Sequence, residues 1–571
     1  MEKAEVKHPV YGAETLDLRF VPVGTPSPLE TAEMSDQGIE ALILEQSPLY
    51  YVPCPNCENN THEGNRGYFL WTIDQPDRII CQYCGMVFPN EKYPMDKTFS
   101  LTDPTGKTQI YKYYQSPDGK VCFLDAVVRN LAYSYLRNQA TLLSKVYYST
   151  RRALYAHKAA VIIKRFGEVY PHLCVTSFEY STDKSQGGLA PKGSNNFFHS
   201  KPPYPEGSSR LSQTRHGRYD EIPIDLIMAY DLIYNSGELE KLGDNVKDDI
   251  EKNLFYPSVE YVRSFLDKSL TNMTGRTIMG LIAAGRVLGE PRWVHEAIHL
   301  FRRITREKFF SDGMWGQGTI SYHNFITNSL QWAVDACKGY SDPPGYVDRL
   351  TGEHFKDWDL SQEEKAFFAK AQNAVKAYRY PNGLATSVHD THPNTPIQGE
   401  YESAAIINTP SRLLPDTGHC VLAYGRGERQ LQAHFHFCTV QDGHHHFDAL
   451  NLSLFAKGRV LLPDLGYTFT VHRPWATCTL AHNTVVVDGH NQKLSRMKTF
   501  SHLGLYEVSH PEIQLAEAFS KDVYPYLDVY RRFVAVVGIS KEDAYLFDVF
   551  RVAGGKVHEW VIHGPADADA K

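Results

Sequence analysis

GHHHFDALNLSLFAKGRVLLPDLGYTFTVHRPWATCTLAHNTVVVDGH, residues 443–490, decides the reading of this chain. It opens with His444, His446 and Asp448 at alternate positions, which in a strand point to one face. Leu450, Leu452 and Leu454 continue that face, so the polar trio sits at the edge of a buried surface. Lys457-Gly458 supplies a turn, Arg459 to Leu462 a returning strand, and His482 stands just ahead of Val485-Val486-Val487. Asp488-Gly489 turns the chain again. His446, Asp464 and His482 are evenly spaced, which predicts one ligand per strand for an ion that takes nitrogen and oxygen, such as zinc. The competing reading is a His-rich turn with no metal.

The same segment resembles the C-terminal β domain of the heparinase II/III-like polysaccharide lyases. Members carry a His-x-His-x-Asp element, then an LLxDxG segment, then an AHNTVVVDG strand, and all three stand here at His444–Asp448, Leu461–Gly466 and Ala481–Gly489. The resemblance implies that His444 is catalytic, and that His446, Asp464 and His482 hold a structural metal (zinc or another divalent ion such as Mn2+). It also implies an incomplete (α/α) toroid followed by an antiparallel β-sandwich.

At 571 residues the chain has room for two or three domains. A net charge of -7 argues against nucleic acid as a general partner, so an anionic polymer would need a local basic cleft. No run approaches a transmembrane helix, and MEKAEVKHPV lacks the apolar core of a signal peptide. The expectation is a periplasmic or secreted protein if a signal has been removed, a cytoplasmic one otherwise, with no membrane partner. The end, KVHEWVIHGPADADAK, reads as a strand entering a fold that is then cut short.

Residues 1–115 are irregular and carry Cys54-x-x-Cys57 and Cys81-x-x-Cys84, a spacing that predicts a four-thiolate zinc site in a small N-terminal cap. A redox pair would need a thioredoxin-like βαβ context, which is absent. Zinc would replace a core the cap is too small to build. Cys122, Cys174, Cys337, Cys420, Cys438 and Cys478 are scattered and read as buried thiols. Over 116–382 apolar residues recur at helical spacing, ending in a helix with Ser361 and Glu364 as a capping box. From 383 to 571 the period changes to two, a β-sandwich pattern.

Two places in the helical region match the same lyases. Asn272 precedes the helix GRTIMGLIAAGRVLG, where it is either a cap or the group that neutralises a uronate carboxylate. Tyr322 follows the glycine-rich loop Asp312–Thr319, which also holds Gln317 as a substrate-binding candidate, and the family's Tyr there handles protons. Many members have His directly after the Asn; here it is Met273. Arg215, His216 and His199 lie in or beside the basic, aromatic loop 194–219, which reads equally as an anion-binding loop or a solvated linker. His434 and His436 alternate in a strand and read as satisfied core histidines.

The expected function is a lyase that cleaves a uronic-acid-containing polysaccharide, of glycosaminoglycan or alginate type, by β-elimination. The alternatives are a uronyl C5-epimerase on the same polymers and a carbohydrate-binding protein without catalysis. A toroid glycoside hydrolase would need paired carboxylates, and Asp312 is the only acid near the loop.

Overall fold

The structure, a computed structural model, describes residues 28–44, 54–57, 69–117, 121–173, 175–176, 198–199, 210–211, 221–266, 270–397, 410–438, 443–468, 472–493, 501–541 and 543–565. The chain divides into two compact units: residues 1–301 with 329–359, and 302–328 with 360–571. This grouping sets the helix Leu360–Lys376 with the strands.

In the first unit the helices follow their apolar spacing. Leu124–Thr150 buries Leu124, Val127, Val128, Leu136 and Leu143 on one side. It stops at Arg151, whose backbone is left-handed at φ 56° and whose N–H returns to the Tyr147 carbonyl. A two-residue link then starts Ala153–Val169, which buries Ala156, Ala159, Ile163 and Phe166. Two small antiparallel sheets precede them, Phe69–Leu70 with Ile79–Cys81 and Val87–Phe88, and Lys97–Thr102 with Thr108–Gln115 and Val121–Cys122. This N-terminal part has an apolar core that it shares with the first long helix. Phe69, Ile79, Phe88, Tyr93 and Tyr111 pack with Phe123 and Leu124 at the start of the first long helix.

The second unit holds two larger antiparallel sheets. One has five strands in the order Arg459–Leu462, Asn451–Ala456, Leu431–His436, His419–Tyr424, Arg412–Leu414. The other runs Ser501–Glu507, Ile513–Ser520, Val529–Gly538, Ala544–Ala553 in sequence order. Ala433, Phe435 and Leu452 from the first share one core with Ala516, Ala518, Val534 and Val536 from the second, as in a β-sandwich. Because strand side chains alternate, the residues between these, Gln432, His434, His436, Asn451 and Ser453, form the opposite face of the five-stranded sheet. That face is buried as well. Tyr378 stacks on His419 at 4.0 Å between ring centres, and Tyr380 meets His434 edge-on at 4.8 Å. A sheet buried on both faces with polar residues on one must supply every partner internally.

Two expectations of local structure need correction. The helix starts at Leu360, which places Ser361 inside the first turn and not at its cap. Residues 443–450 form a loop, not a strand, and the strand begins only at Asn451. The loop is bent by left-handed backbone at His444 (φ 48°) and Leu450 (φ 61°).

Arg532, on the strand Val529–Gly538, ties that sheet to the loops around the site. Its guanidinium is buried, donates to both oxygens of Asp548 at 3.0 and 2.6 Å, and donates to the carbonyls of Leu450 and Asn483 at 2.7 and 2.5 Å. Arg532→Leu strands Asp548 and two buried carbonyls together. Breaking a buried pair on one side costs about 3–5 kcal/mol, so urea denaturation should show a loss of that size.

Candidate functional site

The site belongs to the second unit and is built almost wholly from loops over the buried polar face. The helix Ile320–Cys337 presents Tyr322 in its first turn. Thr319 caps that turn, its hydroxyl accepting from the Tyr322 N–H at 3.2 Å. The Ile320 N–H donates to the Thr391 hydroxyl at 3.0 Å and the His392 N–H to Ser321 at 2.9 Å, so the helix start is fastened to the segment carrying His389 and Asp390.

Asp390 is the centre. Its carboxylate is fully buried and accepts from His444 Nδ1 at 2.7 Å, His446 Nε2 at 3.1 Å, and both terminal nitrogens of Arg473 at 2.7 and 2.8 Å. Burial pushes this carboxyl up, but the bonds from His444, His446 and Arg473 outweigh it and hold the group well below the usual carboxylate range. With Nδ1 donating, His444 keeps the lone pair on Nε2. Its ring stacks on Tyr322 with centres 3.9 Å apart and planes inclined by 29°, and is about a quarter exposed. Burial raises the Tyr322 phenol well above its ordinary value; Tyr467 and the charge of Asp390 add to this, and Arg473 opposes it. The phenol therefore stays protonated at neutral pH.

His446, Asp464 and His482 bring one ligand atom each within 4.8 Å of one another. They sit on three loops and not one per strand. His446 Nδ1 and His482 Nε2 are buried with no hydrogen-bond partner among the described residues. Two imidazole lone pairs and a carboxylate suit a divalent cation. The backs of the ligands are already held, His446 by Asp390 and Asp464 by the Asn451 amide at 2.8 Å, as outer groups fix metal ligands elsewhere. The four predicted cysteines also converge, with Cys54 Sγ 3.7 Å from Cys84 Sγ and Cys57 Sγ 3.8 Å from Cys81 Sγ.

The other expected residues divide. Gln317 is buried beside Gly443, but its oxygen accepts from Trp315 Nε1 at 2.8 Å. Asp312 spends its carboxylate on the turn at Asp416 and Thr417. Asn272 belongs to the first unit; Met273 takes the cap position of the helix Thr274–Val287, and Asn272 is buried one residue earlier. His199 lies in the short strand Phe198–His199, while Arg215, His216 and Cys174 fall outside the described residues. Asp390, Arg473 and Tyr467 went unread in the sequence. The dense His389-Asp390-Thr391-His392 was the one signal for the first, and its loop has no period to flag it.

Residues 406–563 match the family model described as heparinase II/III-like, C-terminal. The chain carries a heparinase II/III-like C-terminal domain. His444, His446, Asp464, Arg473 and His482 lie within this domain; Tyr322 and Asp390 lie ahead of it. The fold of the chain is similar to a heparan sulfate lyase HepC mutant from Pedobacter heparinus (16% identity, TM-score 0.50, covering 75% of this chain and 63% of that one). It is also similar to a heparinase III, the BT4657 gene product (17% identity, TM-score 0.52, covering 74% and 65%). The chain thus spans less than two thirds of the length of these structures. No curated protein sequence matches it.

The Asp-x-Gly of the heparinase II/III-like domain has a steric reason. Gly466 is left-handed (φ 63°), donates its N–H to Asp464 Oδ1 at 2.9 Å, and a Cβ there would stand 2.4 Å from the Thr391 carbonyl oxygen. Gly466→Ala must push apart the segments that carry Asp464 and Asp390. A destabilisation of about 1–3 kcal/mol is expected for such backbone strain, read as a lowered Tm.

Proposed function

We propose that the protein is a polysaccharide lyase that cleaves a uronic-acid-containing chain by β-elimination. The observation that carries this is the Tyr322–His444 pair: a phenol held protonated, stacked on an imidazole whose free lone pair is fixed by a buried carboxylate. The domain family and the fold neighbours support the same reading. The names of those neighbours, heparan sulfate lyase and heparinase III, make glycosaminoglycans the first substrates to test, with alginate next.

The reaction removes the proton at C5 of the uronate and expels the oxygen at C4 of the same ring. His444 Nε2 accepts the C5 proton, and the Asp390 carboxylate stabilises the imidazolium that forms. Tyr322 gives its phenolic proton to the departing oxygen. The negative charge that builds on the uronate carboxylate needs donors, a role proposed for Asn272 by resemblance. Arg215, His216, His199 and Gln317 are proposed to contact the anionic chain, and the helices of the first unit to form the incomplete toroid that the family implies.

The ion at His446, Asp464 and His482 supplies rigidity when bound, keeping the loop of His444 in place. We assign zinc to the four cysteines, because tetrahedral thiolates at about 2.3 Å from the ion stand about 3.8 Å apart, close to the spacings present. Elemental analysis should show that His446→Ala loses one ion and that the Cys54→Ser, Cys81→Ser variant loses another. A wild type without metal would remove both assignments.

The deciding assay follows the ultraviolet absorbance of unsaturated uronate ends. Tyr322→Phe and His444→Ala should each lower kcat by about a hundredfold or more with ion content unchanged; Tm should stay close to wild type in Tyr322→Phe and fall in His444→Ala, which takes a donor from the buried Asp390. His446→Ala should lower Tm and ion content first. Full activity in Tyr322→Phe would refute the acid role, and exchange of the C5 proton without unsaturated product would turn the reading to an epimerase.

A further inference from the structure

A second group of ligand-bearing side chains lies beside the first and enters no step above. His389, His436, Cys438 and Asp448 each place one ligand atom within 4.8 Å of the others, and all four are buried. Both oxygens of Asp448 are buried and neither makes a well-formed hydrogen bond among the described residues; the ring nitrogen that faces them, His389 Nδ1, lies 3.1 Å from Oδ2. A carboxylate left so in the interior is strongly disfavoured unless a cation or donors meet it.

The histidines behind it set the protons. The Gln432 amide donates to Gln430 at 2.8 Å, so its oxygen faces His434 Nε2, 3.0 Å away, and accepts from it. His434 Nδ1 then accepts from His419 Nε2 at 3.3 Å, and His419 Nδ1 from His436 Nδ1 at 3.3 Å. His436 is left with a lone pair on Nε2, 2.9 Å from His389 Nε2. His389 cannot satisfy both its neighbours. A proton on Nε2 suits His436, and the His446 amide can donate to Nδ1 at 3.2 Å, but the Nδ1 lone pair then stands 3.1 Å from the Asp448 carboxylate. A proton on Nδ1 suits Asp448 but sets two Nε2 lone pairs face to face.

We infer that His389, His436, Cys438 and Asp448 bind a divalent transition-metal ion, of the zinc class, as a closed structural site. The ion takes both Nε2 lone pairs, and His389 Nδ1 becomes free to donate to Asp448. Tetrahedral zinc sets nitrogens about 3.3 Å apart and nitrogen and sulfur about 3.6 Å apart. The 2.9 Å between the rings and 3.8 Å from His389 Nε2 to Cys438 Sγ lie to either side of those values. A thiolate and a carboxylate balance the two charges of the ion, so the buried site is neutral. The ion would join the end of the strand Leu431–His436 to the segments carrying Asp390 and His446, and it stands apart from the lyase reading because it is counted without substrate.

Native mass spectrometry of the full chain, expressed with zinc and desalted, counts bound ions. Three are expected in the wild type. Cys438→Ala and Asp448→Asn should each lose one, and Cys438→Ala combined with His446→Ala should lose two. A wild type with two ions, or Cys438→Ala that keeps three, overturns the site. Should the variants fail to fold, anomalous scattering at the zinc edge from crystals of the unaltered chain decides. A peak among the four residues supports the site, and its absence with peaks at the other two overturns it.

Discussion

A single buried carboxylate sets the terms for the second unit. Asp390 is removed from water and stays charged only because two imidazoles and one guanidinium converge on it. Each donor loses freedom in return. His444 is fixed in one tautomer, His446 turns its other nitrogen toward Asp464 and His482, and Arg473 is committed to the carboxylate while its guanidinium covers Tyr467 at 4.9 Å. His444 and His446 are therefore not independent neighbours. They share a counter-charge, and a change at either one is felt at the other through two oxygen atoms.

The carboxylate can occupy this place because the five-stranded sheet has a polar face that never meets solvent. Most sandwich sheets turn polar residues outward to water; here Gln432, His434, His436, Asn451 and Ser453 are buried, with His434 against Tyr380, His436 against His389 and Asn451 against Asp464. Burial depresses the pKa of His434 and of His436 to about 3, so their rings are neutral and serve as hydrogen-bonding spacers. The sandwich core supplies the stability, and the opposite face supplies a dry, prearranged setting for charge.

What was legible in the sequence follows the same division. Elements with a period were readable: the helices at 124–169, the strand Arg459–Leu462, and the Asp488-Gly489 turn, whose two left-handed residues suit a tight hairpin. The grouping of His446, Asp464 and His482 was readable through its local motifs, although each of the three sits on a loop. Asp390 and Arg473 were not, because their importance lies in meeting residues 54 and 83 positions away, and no local pattern encodes that. The trio His444, His446 and Asp448 shows how alternation can mislead. The first two do face one carboxylate, but through a left-handed bend and not through a pleat, and the third turns into a different cluster.

That bend has a wider consequence. His389, Cys438, His444 and Leu450 are all non-glycine residues with φ between 48° and 61°, and three of them carry side chains of the site or of the neighbouring cluster. Such backbone costs of order 1 kcal/mol per residue and is relieved by glycine, which has no Cβ to crowd the carbonyl. Chemistry and conformational comfort thus pull in opposite directions at the same positions. Glycine at those positions would relieve the backbone and remove the side chains that meet at the site and in the neighbouring cluster, so the two demands cannot both be met there.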